Sequence, residues 1–366
     1  MGICESINNT KNNFSNLDET MSFSKNNYRN DNLFSLNEKP GGYVIPANIC
    51  KRDDIKKYYQ LSQKILGEGA TGQVCIGQKN GKQYAIKRIN KKNLKHCKEL
   101  ISEATISMQL KHENIMSYYE IFEDSEFISY VMDLGEGGDL FDFITGCPLG
   151  HLPADIIIEL LIQIFDVVDY LHSSKRIAHR DLKPENFMIK IDNNNKPQVK
   201  LIDFGMAAFI PSNGKFNEFL GTKAYAAPEI FGYSGYTEKV DEWAIGVILF
   251  NMLTGYEPFK GDDEELLDNI KRQPIKFDII EDIDLKELDQ KLLERNISKR
   301  ITSKEALKIV EALKKERDAY FRGGVKLNKI RKTPSVILKK EFQENERYNK
   351  YWDRVVYETN SAGLFI

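Results

Sequence analysis

Residues 179–186, HRDLKPEN, concentrate ionic chemistry between apolar neighbours. The segment carries an imidazole, a guanidinium, an ammonium, a carboxamide and two carboxylates, whereas residues 177–178 and 187–189 are apolar. Removing so much charge from water is costly unless partners or ligands compensate for the lost hydration. The segment therefore indicates a site that handles charged groups rather than an ordinary turn.

A glycine-rich segment, GEGATGQV, offers a second place for anionic chemistry. Gly67, Gly69 and Gly72 permit a close approach of the backbone, whose N–H groups could surround phosphate oxygens. A dinucleotide-binding fingerprint would require a following helix, but a strand-like segment and an Asn-Gly turn follow here. A phosphate loop and a plain glycine-rich hairpin both remain open from this segment alone.

Lys87 closes the strand-like sequence YAIK. Side chains alternate along a strand, so Ala85 shares the face of Lys87. Ala85 and Val74 could cover a flat adenine ring and leave the ammonium group free for phosphate. A buried lysine needs a partner, and Glu103 in a predicted helix over 93–110 is the candidate. A solvated surface lysine is the alternative.

Six motifs occur in the chain in a fixed order and together resemble those of eukaryotic protein kinases over about residues 58–315. They are GEGATGQV at 67–74, YAIK at 84–87, HRDLKPEN at 179–186, DFG at 203–205, APE at 227–229 and DEWAIG at 241–246. The resemblance implies an α+β, bilobal protein kinase fold with a small β-rich N-lobe and a larger helical C-lobe. It also implies ATP and magnesium in the cleft between them.

The resemblance assigns roles in phosphoryl transfer to individual residues. Asp181 would orient the substrate hydroxyl and accept its proton, and Lys183 would neutralise charge on the transferring group. Asn186 and Asp203 would hold magnesium, which prefers hard oxygen ligands. Because every one of these polar positions is filled, we expect an active enzyme. A membrane-tethered, kinase-like scaffold without transfer is the alternative.

The same resemblance implies nucleotide contacts from both lobes. Lys87, held by Glu103, would bind the α- and β-phosphates, and Met132 would be the gatekeeper beside the adenine. Asp133 and Gly135 would lie in the hinge, and Asp139 would reach the ribose. The full set of residues implied to bind ATP is Gly67, Gly69, Gly72, Val74, Ala85, Lys87, Glu103, Met132, Asp133, Gly135, Asp139 and Met188.

Residues after the DFG motif are expected to shape the activation segment. Thr222 would contact the catalytic loop, and Glu229 would pair with Arg300 as a structural brace. Glu218 stands where many kinases carry a phosphorylated threonine, so we expect it to pair with Arg180 without phosphorylation. A solvated Glu218 is the alternative.

Finer resemblances narrow the kinase type. MDLGEGGDLF and TGYEPF resemble the calcium/calmodulin-dependent group, and FNEFLGTKAYAAPE resembles calcium-dependent protein kinases of plants and protists. DLKPEN resembles serine/threonine kinases, which implies protein substrates. Asp139 and Glu185 would form an acidic pocket for an upstream arginine, while Asn251 replaces a glutamate that some relatives use in a second pocket.

One column of stacked side chains departs from the family pattern. His179 and Phe204 would belong to this column, but Ser107 stands where the family usually has a large apolar residue. The change either weakens the active position of the helix or is compensated by a neighbour such as Ile106.

The C-terminal part of the chain also departs from those relatives. No D-x-[DN]-x-[DN]-G loop occurs in the sequence, so we expect no EF-hand. Residues 330–340, IRKTPSVILKK, are basic, and the sequence closes with an aromatic-rich segment. This extension either inhibits the substrate cleft, with Ser335 near the acceptor position, or packs on the kinase surface. The aromatic residues favour packing.

The N-terminal residues predict lipid attachment. MGICES matches the myristoylation pattern at Gly2, and Cys4 could take a palmitoyl chain to make the attachment stable. No apolar run is long enough to span a bilayer. We therefore expect a kinase on the cytoplasmic side of a membrane. The net charge of −2 gives no pull toward nucleic acid, and we expect a monomer.

These observations divide the chain into three parts. Residues 1–50, rich in Asn and Ser, predict a flexible acylated tail. Residues 58–316 form the kinase domain, with the N-lobe at 58–133 and the C-lobe at 134–316. Long helices are predicted in the C-lobe over 154–173, 238–254 and 301–316. Residues 317–366 are the C-terminal extension.

Overall fold

The computed structural model describes residues 49–69, 72–93, 97–135, 137–192 and 196–321. The lipidation residues Gly2 and Cys4, the tip of the glycine loop and most of the C-terminal extension lie outside these ranges. The predictions that concern them therefore stay predictions.

The smaller lobe is built on a five-stranded antiparallel sheet in the order β1-β2-β3-β5-β4. Asn80 and Gly81 connect β2 to β3, and both have positive φ, at 52° and 77°. This turn was predicted, since Asn-Gly tolerates the left-handed conformation that tight hairpins require. The strands are β1 (Gln60–Gly69), β2 (Gly72–Lys79), β3 (Lys82–Asn90), β4 (Tyr118–Glu123) and β5 (Phe127–Met132).

Helix α1 (Cys97–Gln109) lies between β3 and β4 in the chain and packs against β4. It was predicted over 93–110, but residues 91–93 form a separate 3-10 turn before it. Packing of α1 against the sheet therefore holds the residues of α1 that face β3 close to that strand.

Residues 49–59 extend the folded body ahead of the predicted start at residue 58. Lys51 pairs in parallel with Phe122 of β4, and the side chain of Ile55 is fully buried. Arg52 forms an ion pair with Glu123 at 2.8 Å. The segment covers an exposed edge of the sheet, which would otherwise leave unpaired backbone groups.

The larger lobe is predominantly helical, as predicted. Helices α3 and α4 bury nearly all of their apolar side chains in its core. The helices are α2 (Leu140–Thr145), α3 (Ala154–Asp169), α4 (Val240–Thr254), α5 (Asp263–Arg272), α6 (Ile283–Leu292) and α7 (Ser303–Phe321). Short strands pair as β6 (Ile177–Ala178) with β9 (Ala208–Phe209), and β7 (Phe187–Ile191) with β8 (Pro197–Leu201).

Two helix ends differ from the sequence expectation. The helix predicted over 154–173 is α-helical to Asp169 and continues as a wider π-helical stretch, Tyr170–Lys175, which ends at Arg176 in the left-handed conformation. Helix α7 continues past residue 316, because buried Arg317 pairs with Asp155 at 3.3 Å and also with Asp282. Among the described residues no helix is long and apolar enough to cross a membrane.

Candidate active site

Lys87, Glu103 and Asp203 meet where β3, α1 and the loop after β8 converge. The Nζ atom of Lys87 lies 2.7 Å from Oε1 of Glu103 and 3.9 Å from Oδ1 of Asp203. Burial opposes the charged form of Lys87, but the two carboxylates raise the pKa of its ammonium group well above the ordinary value. Lys87 is therefore a fixed cation, and the predicted pairing with Glu103 is present.

Asp203 keeps its charge in this cluster. Burial would raise the pKa of its carboxyl group, but Lys87 and the backbone N–H of Gly205 hold the pKa below the ordinary value. Its φ of 59° lies in the left-handed region, which few non-glycine residues adopt. The side chain is 47% exposed, so its oxygens are open to a ligand.

A second cluster joins Asp181, Lys183 and Thr222. Oδ1 of Asp181 accepts hydrogen bonds from the backbone N–H of Thr222 at 2.9 Å and from its hydroxyl at 2.8 Å. Nζ of Lys183 lies 3.2 Å from Oδ2 of Asp181 and 3.2 Å from the Thr222 hydroxyl. The activation segment thus orients the carboxylate, and the lysine places a positive charge beside it.

Asn186 fits the predicted role of a magnesium ligand. Its amide nitrogen donates to the backbone oxygen of Asp181 at 2.7 Å, which leaves the carboxamide oxygen as the free end of the side chain. Within the described ranges no group of three His, Cys, Asp or Glu side chains could hold a metal alone. One carboxylate and one amide nevertheless suit Mg²⁺, which commonly completes its shell with phosphate oxygens and water.

The residues predicted to surround the adenine share one apolar cluster. Ala85 and Met132, which are paired across β3 and β5, are buried in it, and Val74 and Met188 pack against it. Ile86 lies in a different cluster on the other face of the sheet. The predicted alternation along β3 is therefore confirmed, and Lys87 points to the side where this cluster lies.

The glycines and the hinge flank that cluster. The ends of β1 and β2 pair Gly69 with Gly72 and Gly67 with Val74, so these glycines lie at the paired ends of two antiparallel strands at the edge of the sheet. In the hinge, Gly135 packs close to Met188, since a Cβ built on it would lie 3.0 Å from the methionine methyl group.

Two acids follow Met132, the predicted gatekeeper. The carboxylate of Asp133 accepts a hydrogen bond from the Tyr119 hydroxyl. Asp139 pairs with Met188 as an isolated bridge, and its Oδ1 caps α2 by accepting from the N–H of Asp142 at 2.8 Å. Asp139, predicted to reach the ribose, therefore also begins a helix.

Arg180 connects the catalytic loop to the activation segment. Its side chain donates to Glu218 at 2.8 Å and to the backbone oxygen of Met206 at 2.8 Å. The guanidinium also lies 4.8 Å from the centre of the Phe216 ring. The predicted Arg180–Glu218 pair is thus formed, and Glu218 is not a solvated acid without a partner.

Glu229 and Arg300 form the predicted brace. Two parallel hydrogen bonds join them, at 2.6 and 3.0 Å, and the guanidinium lies 5.1 Å from the centre of the Trp243 ring. Both side chains are buried or nearly so, at 0% and 9% exposure for the arginine and the glutamate. The pair ties the end of the activation segment to the loop before α7.

Sequence reasoning missed a buried support beneath the catalytic loop. Asp241 at the start of α4 accepts hydrogen bonds from the backbone N–H groups of His179 and Arg180, both at 2.8 Å. His172 pairs with Asp241 at 2.7 Å and with Glu242 at 3.3 Å. Burial opposes the protonated ring, but these carboxylates raise the pKa of His172 to about 10. The sequence did contain a signal for this support, since Asp241 and Glu242 are adjacent acids at the start of the apolar run of α4.

His179 and Phe204, two predicted members of the stacked column, lie next to each other. The rings of His179 and Phe204 lie 5.3 Å apart, and burial lowers the pKa of His179, which keeps the ring neutral. Ser107 is buried one helical turn beyond Glu103, and Ile106 belongs to the same apolar core as Phe204. The sequence alone does not show which side chain packs beside Ser107.

Comparison with known proteins decides the family. The model described as the protein kinase domain matches residues 59–310. The chain belongs to the protein kinase family. The predicted bilobal fold is thus confirmed, and so is the predicted use of ATP and magnesium. The predicted site residues in the two charged clusters are Lys87, Glu103, Asp203, Asp181, Lys183 and Thr222. Ala85, Val74, Met132 and Met188 share the apolar cluster.

The relatives are serine/threonine kinases of the calcium/calmodulin-dependent group. Calcium-dependent protein kinase 5 of Plasmodium berghei is 36% identical over 69% of this chain and 45% of its own length. Death-associated protein kinase 2 of Mus musculus is 35% identical over 70% of this chain and 72% of its own length. This chain spans about half the length of the calcium-dependent kinases that it matches.

Proposed function

We propose that this chain transfers the γ-phosphoryl group of Mg-ATP to serine or threonine in protein segments that carry basic residues ahead of the acceptor. The observation that carries the proposal is the pair of charged clusters around Lys87 and Asp181. Phosphoryl transfer requires positioning and charge compensation more than covalent help from the enzyme, and these clusters supply both.

Each side chain of these clusters would have a separate role in the reaction. Asp181, which Thr222 contacts, would accept the proton of the substrate hydroxyl, and Lys183 would hold a positive charge beside it. Asn186 and Asp203 would hold magnesium. Lys87, fixed by Glu103, would bind phosphate oxygens. When bound, Mg-ATP supplies the phosphoryl group and the metal that neutralises its charge.

The preference for basic substrates is supported by acidic groups on the substrate side. Burial, and then the charges of Glu185 and Glu257, raise the pKa of Tyr225 in the segment before APE. Both glutamates are exposed. Burial, and then the charge of Asp139, raise the pKa of Asp142. Their negative potential favours an arginine in the bound peptide.

Labelled phosphate transfer tests this function. A serine peptide with an upstream arginine is compared with the same peptide carrying alanine there, using the parent chain and Asp181→Asn. We expect transfer to fall by about 100-fold or more in Asp181→Asn. The arginine peptide should show about tenfold higher kcat/KM than the alanine peptide. Equal transfer by the parent and Asp181→Asn would overturn the proposal, and Glu185→Gln should abolish the arginine preference.

We also propose that the chain works at a membrane through myristoylated Gly2 and palmitoylated Cys4. The support is the MGICES sequence, because one acyl chain gives only weak binding and two give stable attachment. Membrane and soluble fractions of the parent, Gly2→Ala and Cys4→Ser chains test it. We expect Gly2→Ala to be fully soluble and Cys4→Ser to be partly so. A membrane-bound Gly2→Ala chain would contradict it.

A further inference from the structure

Residues 215–217 of the activation segment and residues 234–236 before α4 form a short antiparallel clasp. Phe216 and Tyr236 face each other in it and exchange two backbone hydrogen bonds. The N–H of Phe216 donates to the oxygen of Tyr236 at 2.8 Å, and the N–H of Tyr236 donates to the oxygen of Phe216 at 2.9 Å. The clasp therefore fixes the backbone of the activation segment just ahead of Glu218.

The two segments of the clasp approach closely because Gly235 has no side chain. Its φ of 72° lies in the left-handed region, which glycine adopts without strain. A Cβ atom built on it would lie 2.8 Å from the backbone oxygen of Phe216 and 2.7 Å from Oδ1 of Asn217. Nζ of Lys215 also donates to the backbone oxygen of Ser234 at 3.0 Å. Any other residue in place of Gly235 would push the segments apart.

Two buried aromatic rings pack within the clasp. Phe216 and Tyr236 are 4% and 2% exposed, and they stack with ring centres 5.5 Å apart and ring planes at 29°. Both rings belong to the apolar core that includes Trp243 of α4. The hydroxyl of Tyr236 has no hydrogen-bond partner in the part of the chain that the structure describes. The ring of Tyr236, and not its hydroxyl, therefore holds the clasp closed.

The clasp lies directly against Arg180. The guanidinium of Arg180 lies 4.8 Å from the centre of the Phe216 ring, a position in which ring and cation attract each other. The same guanidinium donates to Glu218, two residues further along the chain, at 2.8 Å. Because the Glu218 side chain is 66% exposed, water and side-chain entropy would weaken this pair if its backbone were free to move.

We propose that Phe216 and Tyr236 are positioning residues for phosphoryl transfer. They order the backbone ahead of Glu218, so its carboxylate stays on Arg180 at little further entropic cost. Arg180 directly precedes Asp181, and the catalytic loop thereby keeps its orientation without a phosphate in the activation segment. The inference rests on the proposed kinase function and adds the contacts that order this segment.

Two glycines provide a matched test of the clasp. Gly235→Ala places a methyl group inside the clasp, whereas Gly214→Ala, at a φ of 71°, carries similar backbone strain but meets no atom within 4 Å. Amide hydrogen exchange of residues 215–221 is measured without nucleotide, and kcat and KM for Mg-ATP are measured with saturating peptide. Relative to Gly214→Ala, we expect Gly235→Ala to speed this exchange and to lower kcat, each by about fivefold, with KM unchanged.

Failure of the proposed function and failure of this inference give different results. A parent chain that transfers no phosphate would overturn the proposed function. With an active parent, equal exchange in the two alanine variants would overturn the inference alone, and so would undiminished kcat in Gly235→Ala. Exchange in α4 is followed as the check that the fold is intact. If Gly235→Ala loosens α4, variants of Tyr236 decide the question.

Tyr236→Phe keeps the stacked ring and should retain the kcat of the parent, whereas Tyr236→Leu removes the stack and should lower kcat by about fivefold. In a Glu218→Gln background, Tyr236→Leu should lower kcat by less than about twofold further, because the clasp acts through Glu218. Equal kcat in Tyr236→Phe and Tyr236→Leu would overturn the inference. Losses that simply multiply in the double variant would overturn it as well, since a merely structural role of the ring does not depend on Glu218.

Discussion

Two arginine–glutamate pairs hold the activation segment, one near its middle and one at its end. Arg180–Glu218 is a single hydrogen bond of 2.8 Å whose glutamate is 66% exposed. Arg300–Glu229 is bidentate, and its arginine is fully buried. The partners are chemically the same, but water reaches only the first pair.

This difference assigns the two pairs different tasks. Removing one partner from a buried pair leaves an uncompensated charge inside the protein, which is strongly destabilising. An exposed pair contributes little to the free energy of unfolding. Its effect therefore comes through the group that it positions. We infer that Glu229 maintains the fold, whereas Glu218 orients Arg180 and, through it, the catalytic loop.

The largest expected effect is on the buried pair. Glu229→Ala should lower the free energy of unfolding by about 3–5 kcal/mol, because Arg300 is left buried and unpaired. Urea denaturation measures this change. The double variant Glu229→Leu/Arg300→Met removes both charges, so its free energy of unfolding should fall by less than that of Glu229→Ala. If Glu229→Ala unfolded at the same urea concentration as the parent, the pair would not be a brace.

The buried support under Arg180 should make stability depend on pH. The pKa of His172 is about 10 in the folded chain and above its ordinary value of 6.5. Protonated His172 therefore stabilises the fold fully below about pH 6.5, and this contribution is lost as the pH rises toward 10. Thermal unfolding from pH 6 to 10 should show a falling Tm in the parent chain and a flatter profile in His172→Gln. Parallel profiles would argue against this assignment.

Glu218 should affect rate and leave stability nearly unchanged. Glu218→Gln is expected to lower kcat by about fivefold while the free energy of unfolding changes by less than about 1 kcal/mol. Initial rates and urea denaturation of the same preparations measure the two quantities. Glu264→Gln, an exposed acid of α5, is the control for loss of a surface charge. Undiminished activity in Glu218→Gln would contradict the role given to this pair.

The smallest expected effect is that of salt. Exposed ion pairs are screened by added electrolyte, and buried pairs much less. Raising the ionic strength tenfold should slow the parent by about twofold more than it slows Glu218→Gln. Both substrates are kept at saturating concentrations, so that the difference in rate reflects the enzyme and not the binding of substrate. An equal salt response in the two proteins would show that the exposed pair does not limit the rate.

The sequence predicted much of this arrangement because the motifs fix the chemistry of single residues. Lys87 with Glu103, Arg180 with Glu218 and Arg300 with Glu229 were all expected. The first pair was expected because a buried lysine needs a partner, and the other two because the resemblance to protein kinases implies them. The Asn-Gly hairpin was expected for the same kind of local reason.

What the sequence could not predict depends on packing between distant segments. Nothing local shows that residues 49–57 cover the edge of β4 or that His172 meets Asp241. Each contact joins elements far apart in the chain, and each is decided by how the elements pack rather than by residue type. The same holds for Arg317, whose buried contacts lengthen α7 beyond its predicted end.

The central proposal is that Glu218 replaces a phosphate in the activation segment. The direct measurement is the initial rate of peptide phosphorylation by protein that mass spectrometry shows to be unphosphorylated between residues 203 and 229. We expect full activity from the first time point, with no lag, and a lower rate in Glu218→Gln. Activity that appears only as phosphate accumulates in this segment would contradict it.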